Sequence, residues 1–147
     1  MSEATTILAI EDNYAHLYTL NSYLSRQGFE VLVASSATEA LEILEKTDKV
    51  IKTIVLDWMM PDMNGIELLQ RIKASRPLAQ IPVIIQTGKS SPEEVAIAVE
   101  AGAFQHLAKP YSGKALVSMI DSALAEYERH QRVTPQPKSP EIEESVC

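Results

Sequence analysis

Three kinds of side chain in this sequence could do chemistry together: the carboxylates Glu11, Asp12 and Asp57, the hydroxyl of Thr87 and the ammonium of Lys109. Each closes a run of apolar and β-branched residues. "TTILAI" runs into Glu11-Asp12, "TIVL" into Asp57, "IPVIIQ" into Thr87 and "AFQHLA" into Lys109. One acid behind a strand has an ordinary use as a helix cap, and Asp12 or Asn13 could serve the following helix that way. Three carboxylates gathered at one rim are costly unless a cation joins them. Hard carboxylate oxygens suit Mg²⁺, which keeps several waters and can exchange one for a phosphate oxygen. Lys109 could pair with Asp57 or with phosphate, and Thr87 could donate to a phosphoryl oxygen. The set fits phosphoryl transfer onto a carboxylate nucleophile.

Whether the set converges depends on the elements that carry it. Helix-period stretches alternate with the apolar runs. Leu17, Leu20 and Leu24 recur at helical spacing between Tyr14 and Gln27, and Gly28 ends that segment. After "FEVLVAS" a helix runs from Ala37 to about Lys46, opened by Ser36 with Glu39 as a capping box and burying Ala40, Leu41 and Leu44. Following "MMPDMNG", the pattern turns Ile66, Leu69 and Ile72 inward, with Arg71 and Lys73 outward. Ser91-Pro92-Glu93-Glu94 opens a fourth helix that Gly102 closes, and Ser112 starts a last helix through Leu116, Ile120, Ala123, Leu124 and Tyr127. The near-continuous apolar first, third and fourth strands predict an α/β fold: a (βα)5 doubly wound parallel sheet with helices on both faces. In such sheets ligands bind beyond the carboxyl ends of the strands, where strand order reverses. If that order is 2-1-3-4-5, the four polar-ended strands are contiguous and Asp12 and Asp57 face each other.

Composition limits the alternatives. Residues 1–130 suit one domain; residues 131–147, "QRVTPQPKSPEIEESVC", form a Pro-rich acidic tail with no apolar period, predicted to be flexible. A net charge of −7 speaks against nucleic acid as partner, because phosphate neutralisation needs a basic face. No run is long and apolar enough for a membrane span, and the N-terminus lacks the pattern of a signal peptide. The lone cysteine, Cys147, leaves no internal disulfide and fits a reducing cytoplasm. His16 and His130 read as surface helix residues. Trp58, Met59, Met60 and Met63 read as an apolar cluster packing core or loop.

The acidic pair after the first strand, "LDWMMPDMNGIELLQRIK", "QTG" and "KP" together resemble the receiver domain of two-component response regulators, in particular its stand-alone chemotaxis-type members, over residues 5 to 130. The resemblance supplies the flavodoxin-like strand order 2-1-3-4-5. It implies that Asp57 accepts a phosphoryl group from a histidine kinase or histidine phosphotransfer protein. It implies Mg²⁺ held by Glu11, Asp12, Asp57 and the backbone carbonyl of Met59, with Glu11 acting directly or through water. Lys109 would contact the phosphate, its bond to Pro110 being cis. Thr87 would move toward the phosphate and switch the face built from the fourth helix, fifth strand and fifth helix, toward a downstream protein target, a phospho-dependent homodimer or a phosphorelay. Two positions depart from the family pattern: Glu11 stands where aspartate is commoner, and His106 occupies the aromatic switch position. Met59 and Lys89 occupy the two positions that vary with phosphate lifetime.

Two other classes compete with this reading. A haloacid-dehalogenase-type hydrolase also uses an aspartyl phosphate, but it needs an acid two residues after the nucleophile, where Met59 stands here. A pseudo-receiver, a protein-interaction module not controlled by phosphorylation, draws on the departures at Glu11 and His106. The expected role is therefore not that of an enzyme, beyond Mg²⁺-dependent phosphorylation and dephosphorylation of its own aspartate.

Overall fold

The computed structural model describes residues 4–88 and 91–133. Strands and helices alternate: β1 Thr6–Ile10, α1 Tyr14–Arg26, β2 Glu30–Ala34, α2 Ala37–Lys46, β3 Ile51–Asp57, α3 Gly65–Ala74, β4 Val83–Thr87, α4 Pro92–Ala101, β5 Gln105–Ala108 and α5 Gly113–Val133. All neighbouring strands pair in parallel and lie in the order β2-β1-β3-β4-β5. The chain leaves β1 toward one edge to make β2, then returns past β1 to make β3. The carboxyl ends of β1 and β3 therefore flank the crevice where the winding reverses.

Side-chain alternation along the strands divides the core into two layers. Leu8, Ile10, Ile54, Leu56 and Val83 pack with Ala40 and Leu44 of α2 and Leu68, Leu69 and Ile72 of α3. Ile7, Ala9, Val55, Ile84 and Leu107 pack with Leu17, Leu20 and Leu24 of α1 and Leu116, Ile120 and Ala123 of α5. The central strands are buried almost throughout, whereas the edge strands β2 and β5 are only partly covered. Fully burying a Leu or Ile side chain is worth roughly 1.5–3 kcal/mol, so these two layers hold the rim in place while the rim itself remains polar.

Several local expectations need correction. On α3 the fully buried residues are Leu68, Leu69 and Ile72, and Ile66 is only half-covered. Helical phase places 68, 69 and 72 on one stripe, with 66 at its margin. Lys73 does not face out. Its ammonium donates to the carbonyls of Ala79 at 2.9 Å and Ile81 at 2.8 Å, which closes the loop between α3 and β4. Burial depresses the Lys73 pKa, with Glu126 opposing. Leu41 is only partly buried, and Ala37 takes its place in the α2 stripe. Ser36 caps α2 as expected, but Glu39 reaches back to Ser35, not to Ser36, accepting from both its backbone N–H and its hydroxyl. Strand β3 begins at Ile51, two residues before the apolar run that marked it in the sequence. Met59 is 71% exposed, so the expected apolar cluster is split: Met60 and Met63 pack into the core without it. Lys89, Cys147 and the tail from residue 134 lie outside the described residues, and α5 extends to Val133.

The turn into α3 ties the fold to the rim. Asn64 caps the helix by accepting from the N–H groups of Ile66 and Glu67. The Gly65 N–H donates to the Trp58 carbonyl at 2.7 Å. A Cβ on Gly65 would lie 2.5 Å from the Asp57 carbonyl oxygen and 2.9 Å from the Trp58 Cα. Both neighbours are backbone and cannot swing aside. Gly65→Ala is expected to destabilise the protein by about 2–3 kcal/mol, read as a lowered urea midpoint, and to displace Asp57 with it.

Candidate functional site

The rim is assembled by strand ends and the first turns of the helices that follow them. Glu11 and Asp12 lie just past β1, Asp57 is the last residue of β3, Thr87 the last of β4, and Lys109 follows β5. Asn13, not Asp12, caps α1 by accepting from the His16 N–H, which leaves Asp12 free of that duty. The five residues singled out in the sequence thus come from four adjacent strands. Glu11, Asp12 and Asp57 converge: each offers an oxygen, and the three lie within 4.8 Å of one another. Lys109 joins them, its ammonium 3.0 Å from Asp57 Oδ1 and 3.5 Å from Glu11 Oε1. Its peptide bond to Pro110 is cis, as expected.

Glu11 and Asp57 are 2% and 4% exposed, so two of the three charges are almost removed from water. The Asp57 carboxyl is held above its ordinary pKa, first by burial. Glu11 and Asp12 add to that effect, and the hydrogen bond and charge of Lys109 oppose it. For Lys109, burial works against the charged form, but Asp57 and Glu11 outweigh it and raise its pKa. Among the described residues the cluster holds three carboxylates against one ammonium. Mg²⁺ holds its ligands at about 2.1 Å, which puts opposite ligand oxygens about 4.2 Å apart. Three hard carboxylate oxygens within 4.8 Å of one another are on that scale, so the donor set fits the ion.

Thr87 is buried at the rim, and its hydroxyl donates to Glu94 Oε1 of α4 at 3.5 Å. His106 is half-buried on β5, away from the acidic cluster, and its Nε2 has no hydrogen-bond partner among the described residues.

Three residues near the acids were not identified from the sequence. His16, expected to be a surface residue, is half-buried with Nδ1 2.7 Å from Glu11 Oε1. Tyr111 places its hydroxyl 3.5 Å from His16 Nε2 and donates to Gln86 Oε1. Burial, with Glu11 and Asp57 adding, drives the Tyr111 pKa well above the normal phenol range. Gln86, fully buried on β4, pairs in register with Asp57. Two signals were available. Gln86 interrupts an apolar run, and side chains in the first turn of a helix tilt back toward its N-terminus, here toward the rim.

The sheet and the rim together define an α/β protein with an acidic site at its topological switch point. The family model for the response regulator receiver domain matches residues 7–121, and the chain belongs to that family. A chemotaxis protein CheY homologue of Campylobacter jejuni is 30% identical over 119 residues, covering 80% of this chain and 91% of its own. The DNA-binding transcriptional regulator NtrC of Rhizobium meliloti is 36% identical over 124 residues, which are 84% of this chain but 25% of that larger protein. Among solved structures, the CheY-like receiver domain protein of Methanospirillum hungatei superposes with a TM-score of 0.78 at 30% identity, covering 87% of this chain and 99% of its own. No helix among the described residues is long and apolar enough to cross a membrane.

The pKa directions have a consequence for stability. A carboxyl whose pKa is raised in the fold binds its proton more readily there than in the unfolded chain. Its ionisation therefore erodes stability as pH rises from the ordinary value of 3.8 through the raised one. Asp57→Asn is expected to raise Tm at pH 7, with the gain shrinking toward zero as pH falls below 4. Lys109→Met leaves the acids without their ammonium and is expected to cost about 2 kcal/mol at pH 7. Thermal melts of the three proteins across pH check both signs.

Proposed function

We propose that this protein is a response regulator whose Asp57 accepts a phosphoryl group from a phosphohistidine. The observation that supports this best is the pairing of a buried carboxylate at the end of β3 with Lys109 at 3.0 Å, beside two further acids able to share a cation. An Oδ of Asp57 attacks phosphorus, the P–N bond to the donor imidazole breaks, and the imidazole leaves with the bonding pair. Glu11, Asp12, Asp57 and the Met59 backbone carbonyl would hold Mg²⁺, which when bound neutralises charge on the phosphoryl oxygens. The Lys109 ammonium moves its hydrogen bond from Asp57 to a phosphoryl oxygen. Thr87 donates to a second oxygen and in doing so gives up Glu94, which couples the rim to the first turn of α4.

The donor would be a histidine kinase or a histidine phosphotransfer protein. Output would pass through the face made by α4, β5 and α5, which includes the half-buried His106. That face could take a downstream protein target or a second phosphorylated copy, and the phosphoryl group could instead be relayed onward. His106 would act as the switch side chain: its buried Nε2 has no partner among the described residues, so moving outward gives up no hydrogen bond made by that atom. The same geometry favours self-phosphorylation and self-dephosphorylation over hydrolysis of external esters, since Met59 offers no acid for a leaving group.

Trp58 adjoins Asp57 and is the sole tryptophan, so its fluorescence reports on the site. A change on adding Mg²⁺, followed by a second change with a small phosphodonor or beryllofluoride, is the expected result, and Asp57→Ala should abolish the second. A wild-type protein silent to every phosphodonor would favour a pseudo-receiver, and sustained turnover of assorted phosphate esters would favour a hydrolase.

A further inference from the structure

Glu11 carries one methylene more than aspartate, and an unrestrained glutamate at this position could swing its carboxylate across the rim. It is restrained here at both oxygens. Oε2 accepts the Asn13 N–H at 3.2 Å, and Oε1 lies 2.7 Å from His16 Nδ1 and 3.5 Å from the Lys109 ammonium. The contact to His16 is the shortest of the three, and the carboxylate it meets is almost fully buried. The imidazole is itself set from behind: Nε2 faces the Tyr111 hydroxyl at 3.5 Å, the two rings are 6.3 Å apart, and that hydroxyl donates to the buried Gln86. His16 therefore sits between the Tyr111–Gln86 pair and an acid past the end of β1.

We infer that His16 is a positioning residue for the metal site, clamping the longer Glu11 side chain so that its carboxylate stays within reach of Asp12 and Asp57. The clamp needs only a donor at the Nδ1 position, whatever the charge of the ring. It rests on the reading of the three acids as a Mg²⁺ site. Partners that orient a ligating carboxylate are worth about 10–100-fold in metal affinity.

The test is a Mg²⁺ titration of the full chain, followed by calorimetry and by Trp58 fluorescence, without any phosphodonor. His16→Leu should weaken the Mg²⁺ Kd by about tenfold or more, with an unchanged circular dichroism spectrum. His16→Asn places an amide N–H where Nδ1 stood and should restore the Kd to within about threefold of wild type. In a Glu11→Asp background the carboxylate is withdrawn from His16, so adding His16→Leu should change the Kd by less than about twofold. A His16→Leu protein that binds Mg²⁺ like wild type would overturn the inference. So would equal losses in the wild-type and Glu11→Asp backgrounds with no rescue by asparagine, which would mark a general structural role. Wild-type protein that takes up no Mg²⁺ by either readout would sink the metal-site reading itself, and the inference with it.

Discussion

Electrostatic repulsion at the switch point is the constraint on which the other features of the rim depend. Among the described residues two nearly buried carboxylates and a third beside them face one ammonium, and burial, with Glu11 and Asp12 adding, raises the Asp57 pKa. The two hydrophobic layers beneath make this arrangement tolerable. They hold the strand ends in register, so the acids cannot relax apart by moving backbone. A site of this kind stores affinity for whatever supplies positive charge, and it holds the Asp57 carboxylate desolvated and oriented.

The supports around the acids are directional. Asn13 takes over the capping of α1, so Asp12 need not commit its oxygens to backbone N–H groups there. Gly65 lets the α3 turn press against the backbone of Asp57 and Trp58, which sets where the Asp57 carboxyl can point. Thr87 ties the rim to α4 through Glu94, while His16, Tyr111 and Gln86 tie it to α1 and the start of α5. Rearrangement at Asp57 is thereby felt on both sides of the sheet. Packed elements of this kind tend to have discrete arrangements, which is what a switch requires.

Much of this was legible in the residues. The alternation of apolar runs with helix-period segments predicted the (βα)5 architecture, and the polar residue ending each run marked Asp57, Thr87 and Lys109 without any knowledge of their neighbours. Cap residues located the helix starts at Ser36 and Ser91 correctly, because the Ser oxygen meets an N–H only three residues away. Readings failed where a side chain's surroundings lay outside its own element. Lys73 looked like a solvated charge and is instead bonded to two carbonyls of the loop that follows its helix and folds back over it. Met59 looked like part of an apolar cluster and points to solvent.

The sequence by itself determined which elements form and which chemical groups stand at their ends, since both follow from local periodicity and from short-range hydrogen bonding. Only the tertiary structure decided which of those groups meet. Lys109 is 52 residues from Asp57 and 98 from Glu11, and nothing in the intervening pattern specifies either contact. Strand order brings β5 to the same rim as β1 and β3, and that order is set by how helices cover the two faces of a twisted sheet. His16 shows the same division: as a residue of the first turn of α1 its direction was foreseeable, but its meeting with Glu11, Tyr111 and Gln86 exists only in the folded chain.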